Sequence, residues 1–146
     1  MSKFYIFFFS FYIEMVVYLA SPIASTKSKE SWSSSDFKLF RNEKITSALK
    51  EIGFEVYLPQ VNQKRNGKET WEEQKKVMIN SDFLILVLSD TRGAYIEAGF
   101  AKALGKKVYV LEVEETRGYS DWLNAVCDYI AKDINDLIRF LKENFK

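Results

Sequence analysis

The stretch that most restricts how this 146-residue chain can fold runs from Ser81 to Gly105, SDFLILVLSDTRGAYIEAGFAKALG. Phe83 to Leu88 is a continuous apolar run, short enough to be a strand covered on both faces. Ser89 to Gly93 supplies turn and N-cap chemistry, and Ala94 to Leu104 reads as a helix rich in small residues. Gly105 is suited to the C′ position that ends it. Strand, turn and helix make half of a βαβ unit. Glu97 is then expected in the first turn of the helix, just above the C-terminal edge of the strand. Ligands of open parallel sheets bind at that edge. Any chemistry in this protein is expected to centre on Glu97.

The rest of the chain supplies matching pieces. Val16 to Ala20 reads as the first strand, followed by a loop from Ser21 to Thr26. Lys27 to Ser35 is rich in Ser and Lys without periodicity, and is expected to be a mobile loop over the site. Ser35 or Asp36 caps a helix to about Ile52, in which Phe37, Phe40, Ile45, Ala48, Leu49 and Ile52 recur at helical spacing. Gly53 ends that helix and Phe54 to Pro59 is the second strand. A polar loop, Gln60 to Lys68, leads to a helix from about Glu69 to Asn80. Beyond Gly105, Lys107 to Val113 and Cys127 to Ala131 read as strands, with Asp121 to Val126 and Ile134 to Phe145 as helices. Strand and helix alternate throughout, so the expected fold class is α/β, a five-stranded parallel sheet with helices on both faces. No internal repeat and no second domain is visible.

Composition narrows the chemistry. With 21 Lys+Arg against 20 Asp+Glu, nothing draws the chain to polymeric nucleic acid. The chain has no histidine, which removes a histidine base, a Ser-His-Asp triad and any histidine-based metal site. The single cysteine, Cys127, lies in apolar sequence and reads as a buried small residue; the lack of an intrachain disulfide fits a cytoplasmic setting. Residues 1–14 form an aromatic, aliphatic extension broken by Glu14. With the small residues before Ser25, they have the outline of a signal peptide. The run is too short to span a bilayer, and cleavage near Ser25 would remove the first strand. The reading adopted is an upstream extension, with Met15 as the functional start, a domain over 15–146 and no membrane partner.

Several segments together resemble the nucleoside 2-deoxyribosyltransferase family, whose superfamily includes the 2′-deoxynucleoside 5′-monophosphate N-glycosidases. They are Tyr18 to Pro22, Gly53 to Pro59, Asn80 to Phe83 and above all Gly93-Ala-Tyr-Ile-Glu-Ala-Gly-Phe-Ala101. The similarity spans about residues 15 to 141. It implies a flavodoxin-like (Rossmann-like) three-layer sandwich with strand order 2-1-3-4-5. Its switch point, between the first and third strands, would bring Tyr18 and Glu97 to one crevice.

The resemblance implies that Glu97 attacks C1′ of a deoxyribose. A carboxylate suits that task, since departure of the base leaves oxocarbenium character that it can stabilise and trap. Against this stands the ordinary fate of a glutamate, a solvated helix residue. Here Gly93, Ala94, Ala98, Gly99 and Ala101 suggest instead a helix packed closely on the sheet. Tyr18 matches a tyrosine that bonds the glutamate and the substrate. Asp90 is the candidate acid for the leaving base, with simple helix capping as its alternative role, and lies one residue before the position of the family's usual acidic group, which here is Thr91. Asp82 precedes the strand, about 20 Å from that edge, and reads as structural.

Ser21, Ile23, Ser25, Gln74, Thr91, Arg92, Gly93 and Asn124 complete the expected substrate contacts. Gln74 stands where the family commonly has a base-handling aspartate, and Ala24 where the monophosphate glycosidases carry an arginine. The C-terminus, Phe145-Lys146, lacks the family's tyrosine. The implied function is cleavage or transfer at the N-glycosidic bond of a 2′-deoxynucleoside or its 5′-monophosphate, with no metal or cofactor. The resemblance also implies a homodimer or larger homo-oligomer. A non-catalytic nucleotide-binding module of the same fold is the alternative. A receiver domain is excluded by the missing acidic pair after the first strand.

Overall fold

In the computed structural model, which describes residues 14–21, 32–59, 66–88, 92–113, 118 and 120–145, strands and helices alternate. They are β1 (Val16–Ala20), α1 (Trp32–Glu51), β2 (Glu55–Tyr57), α2 (Gly67–Asn80), β3 (Phe83–Val87), α3 (Arg92–Ala103), β4 (Lys107–Leu111), α4 (Asp121–Val126), β5 (Tyr129–Ala131) and α5 (Ile134–Asn144). The strands form one parallel sheet in the order β2-β1-β3-β4-β5, the flavodoxin-like order that the resemblance implied.

Side chains alternate between the two faces of each strand, and each face has its own cover. Val17, Leu19, Phe83, Ile85, Val87, Tyr109 and Leu111 point toward Ile45 and Leu49 of α1 and Leu137 and Leu141 of α5. Tyr18, Ala20, Leu84, Leu86, Val108 and Val110 point toward Met78 of α2 and Ala94, Ala98 and Ala101 of α3. Both faces are dry. That is why Phe83 to Leu88 shows no polar alternation.

Helix ends follow local chemistry. Gly53 (φ 97°) and Gly105 (φ 78°) take the left-handed conformation at the ends of α1 and α3. At each, the glycine N–H and the next N–H return to carbonyls of the last turn, Lys50 and Leu49 in one case and Lys102 and Ala101 in the other. Asn66 caps α2 by accepting from the Glu69 N–H at 2.9 Å.

Three helices begin earlier than the sequence pattern implies, α2 among them, at Gly67 rather than about Glu69. The first starts at Trp32, so part of the serine-rich stretch expected as loop is helical. The helix after β3 starts at Arg92, which moves Glu97 from the first turn to the second. Serines, arginine and glycine carry no apolar period, so those opening turns left no mark in the pattern. Cys127 is half-buried at the C-cap of α4 rather than buried. Residues 1–13 lie outside the described residues, and with them the expected extension.

Asp82 lies at the entry of β3, where its contacts suit the structural role expected of it. Its Oδ2 accepts from the Val16 N–H at 2.7 Å while its own N–H donates to the Val16 carbonyl at 2.8 Å, which locks the start of β1 to the entry of β3. Asp82→Ala is expected to cost about 1–2 kcal/mol of stability through the lost charge-assisted bond. Turnover per folded molecule is expected to stay unchanged. Urea denaturation beside an activity assay checks both; a fall in turnover greater than the fall in folded fraction would contradict the purely structural role.

Candidate active site

The site forms where β1 and β3 lie side by side and their following connections part to opposite faces, the crevice that a doubly wound sheet offers to ligands. Tyr18 is the third of five residues in β1, paired in register with Leu84 of β3 and Tyr57 of β2. It stands two residues before the C-terminal end of the strand. Its ring is 0 % exposed and lies against the Tyr57 ring, with centroids 5.4 Å apart. Strand alternation turns it toward α3, the helix that carries Glu97.

Small residues allow α3 to lie close over β1, β3 and β4. The alanines do this: Ala94, Ala98 and Ala101 are buried along one stripe. Gly93 and Gly99, expected to share in that packing, are exposed, with open space where a Cβ would stand. Glu97 borders the buried stripe, between Ala94 and Ala101, and its side chain is carried inward beside Tyr18.

Burial governs the electrostatics of the pair. Desolvation pushes the Glu97 carboxyl up from 4.5 to about 7, and the neighbouring Tyr18 hydroxyl pulls it partly back. The Tyr18 phenol is held well above its ordinary range, first by burial and then by the Glu97 charge. A helix N-terminus favours negative charge, but it acts only weakly on Glu97 from the second turn, since that effect falls off within the first. Among the described residues, Tyr18 Oη and Glu97 Oε2 are buried without a hydrogen-bond partner of ordinary geometry. The two groups therefore sit near enough to shift one another while keeping donor and acceptor capacity for a third group. Buried polar groups with hydrogen-bonding capacity left over are rare, and a functional role is one reason for them.

The other expected residues divide. Ser21 follows directly on β1, is buried, and donates its hydroxyl to Asn42 Oδ1 of α1. Arg92 and Gly93 are exposed at the start of α3. Gln74 is half-buried on α2 and Asn124 is exposed on α4; neither forms a hydrogen bond with the Tyr18–Glu97 pair. Ile23, Ser25, Asp90 and Thr91 lie outside the described residues. Pattern reading missed two buried polar residues, Arg41 and Asn42. They stand four and three residues before Ile45 on the core-facing stripe of α1, so a polar break in that stripe was the available signal.

Among the described residues no group of His, Cys, Asp and Glu side chains gathers as a metal site. No helix among them is long and apolar enough to cross a membrane.

A parallel sheet of this order, with a carboxylate and a phenol brought together at its switch point, defines a flavodoxin-like α/β protein with an ionisable pair where such folds bind ligands. Residues 17–125 match the family model described as nucleoside 2-deoxyribosyltransferase, and the chain belongs to that family. No curated protein sequence matches it. Among solved structures it is similar to a 2-deoxyribosyltransferase from Bacillus psychrosaccharolyticus, with a TM-score of 0.67 and 19% identity over 84% of this chain and 90% of the other. The CMP N-glycosidase of Clostridium botulinum aligns with a TM-score of 0.62 and 20% identity, over 88% of this chain and 98% of that one. A conserved protein from Enterococcus faecalis V583 aligns at 0.65 and 18% identity over 91% and 100%. At these identities the likeness is one of fold.

Proposed function

We propose that this protein cleaves or transfers at the N-glycosidic bond of a 2′-deoxynucleoside or its 5′-monophosphate, with Glu97 as nucleophile on C1′. Family membership supports an enzyme acting on that bond. The observation that carries the mechanism is the buried Glu97–Tyr18 pair at the switch point, with hydrogen-bonding capacity unspent. As the base leaves with the bonding electron pair, positive charge grows on C1′ and the ring oxygen. An ionised Glu97, largely withdrawn from solvent, stabilises that charge strongly, then closes on C1′ as a glycosyl ester. Tyr18 donates toward the carboxylate and holds its orientation. Water attacking the ester completes a hydrolysis; a second base attacking it completes a transfer.

The test is incubation with a panel of 2′-deoxynucleosides and their 5′-monophosphates, with and without a free acceptor base, and chromatography of the products. Base release without acceptor reports hydrolysis, and new nucleosides with acceptor report transfer. If no substrate releases its base, the glycosyl reading is lost and the non-catalytic nucleotide-binding reading takes its place.

Only ionised Glu97 is a nucleophile, so kcat/KM is expected to rise with pH, half-maximal at about 7 and level at higher pH. Tyr18→Phe removes the hydroxyl that lowers this carboxyl, so the midpoint is expected to move upward and activity at pH 7 to fall about tenfold or more. A pH–rate profile of both proteins checks this. An unmoved midpoint would show that the phenol does not act on Glu97.

A further inference from the structure

We infer that Tyr57 is a positioning residue: its ring, packed on that of Tyr18 across β1 and β2, holds the Tyr18 hydroxyl toward the Glu97 carboxyl. The inference rests on the reading above, in which Tyr18 orients the nucleophile. Tyr57 is the direct register partner of Tyr18 in the neighbouring parallel strand, so the two side chains leave the same face of the sheet. Their ring centroids are 5.4 Å apart and the planes are tilted by 32°. Such a pair is held by more than the area it covers. β2 is the last strand on that side of the sheet, so Tyr57 forms the flank of Tyr18 toward the edge. On the other flank stands Leu84, the register partner of Tyr18 in β3. Overhead, α3 presents Ala94 and Ala98, which bring the helix close but offer only methyl groups. Tyr18 is fully buried and Tyr57 half-buried, so the outer ring closes over the inner one.

Packing decides where the phenol points. Among the described residues the Tyr18 hydroxyl is buried without a hydrogen-bond partner of ordinary geometry, so its place is set by what surrounds the ring. Without Tyr57 beside it, the ring is free to turn toward the sheet edge and carry the hydroxyl away from Glu97. The Tyr57 ring matters more than its hydroxyl, whose influence in raising the Tyr18 phenol is the least, after burial and Glu97. Glu97 itself responds to two things: burial raises its carboxyl and Tyr18 lowers it. β3 carries no ionisable side chain, and Tyr109 of β4 points to the opposite face. Lys107 of β4 and Lys102 of α3 pair with Asp128, at 3.6 Å and 2.8 Å. Arg92 and Tyr95 of α3 are exposed. So are Lys68, Glu69, Glu72, Glu73 and Lys76 of α2, whose half-buried Lys75 pairs with Glu72 at 3.0 Å.

Two roles for Tyr57 give opposite signs. A residue that only kept water out would, when lost, hydrate Glu97 and lower its carboxyl. A residue that holds Tyr18 would, when lost, remove the phenol that pulls the carboxyl down, and the carboxyl would rise. The experiment follows the Glu97 carboxyl by NMR in protein carrying carboxyl-labelled glutamate, with Glu97→Gln to identify its resonance. Wild type, Tyr57→Phe and Tyr57→Leu are titrated, each also in the Tyr18→Phe background, beside pH profiles of base release. Tyr57→Leu is expected to move the Glu97 midpoint upward by about half a pH unit or more, and so to lower kcat/KM at pH 6 about threefold or more. Tyr57→Phe, which keeps the ring, is expected to stay within about 0.2 pH unit of wild type. In the Tyr18→Phe background neither substitution should raise the midpoint further. A downward shift, no shift, an equal shift in Tyr57→Phe, or the same shift without the Tyr18 hydroxyl would overturn the assignment. If wild type releases no base from any substrate, the glycosyl reading fails, and the carboxyl titration still decides whether Tyr57 acts on Glu97 through Tyr18. Circular dichroism melts confirm folding. Should Tyr57→Leu not fold, Tyr57→Met carries the same test, and an unmoved midpoint in it overturns the proposal.

Discussion

Glu97→Gln is expected to lower turnover by about a thousandfold or more while raising stability above neutral pH. The first effect follows from the amide, which cannot attack C1′ or oppose the charge that forms there. The second follows from linkage. In the folded protein the carboxyl titrates at about 7, against 4.5 when unshifted. Between those values the native state holds a proton that the unfolded chain has released. Stability is therefore full below about 4.5 and is lost as pH rises to about 7. The loss has an upper bound of about 3 kcal/mol, lower to the extent that water reaches the half-buried side chain. Glutamine carries no charge to bury, so the variant is expected to match wild type at pH 4 and to melt about 5–10 °C higher at pH 8. Calorimetric melts at both pH values, beside the base-release assay, check the two halves. A variant that loses activity and gains no alkaline stability would mean that the carboxylate is better solvated than its burial implies.

Such an opposition between activity and stability is what a functional site is expected to show, because local fold rules are broken there. Elsewhere the fold was legible because each element was consistent with its neighbours. The unbroken apolar run Phe83–Leu88 required cover on both faces, and the structure provides it with α1 and α5 on one face and α2 and α3 on the other. Glu97 and Tyr18 were legible from the family pattern, and the sheet order brings them to one crevice. What escaped had physical reasons. Helix starts at Trp32 and Arg92 lie in Ser and Thr-Arg-Gly sequence that has no apolar period. Gly93 and Gly99 suggested close packing, yet a helix approaches a sheet through the residues facing it, and here those are alanines. Arg41 and Asn42 escaped because a stripe scored on apolar residues passes over the polar ones it contains.

The largest loss of stability is expected at Phe83, on the face of the sheet away from Glu97. Phe83 is 1% exposed and begins β3. Its ring meets Phe54 edge-on at 5.4 Å, lies over Phe145 at 5.1 Å and meets Tyr109 at 5.2 Å. Those partners come from the turn after α1, the end of α5 and β4, so one side chain joins three parts of the chain that are remote in sequence. Phe54 and Phe145 also meet each other edge-on at 5.8 Å, which closes the cluster. Phe83→Ala leaves a void among rings that cannot all move inward, because each is held by a different element. The cost is expected to be about 3–5 kcal/mol, a large share of the roughly 5–15 kcal/mol that holds such a protein folded. The melting temperature should fall by about 10 °C or more. Phe83→Leu keeps most of the volume and should cost less than about 2 kcal/mol. Strand alternation sends Phe83 toward α1 and α5, while the Tyr18–Glu97 pair lies under α3. Activity per folded molecule at low temperature is therefore expected to stay within about twofold of wild type in both variants. Thermal melts with an activity assay at 10 °C separate the effects. A melting temperature within 2 °C of wild type for Phe83→Ala would show the cluster closing over the void. A loss of activity without loss of fold would show that the two faces of the sheet are coupled.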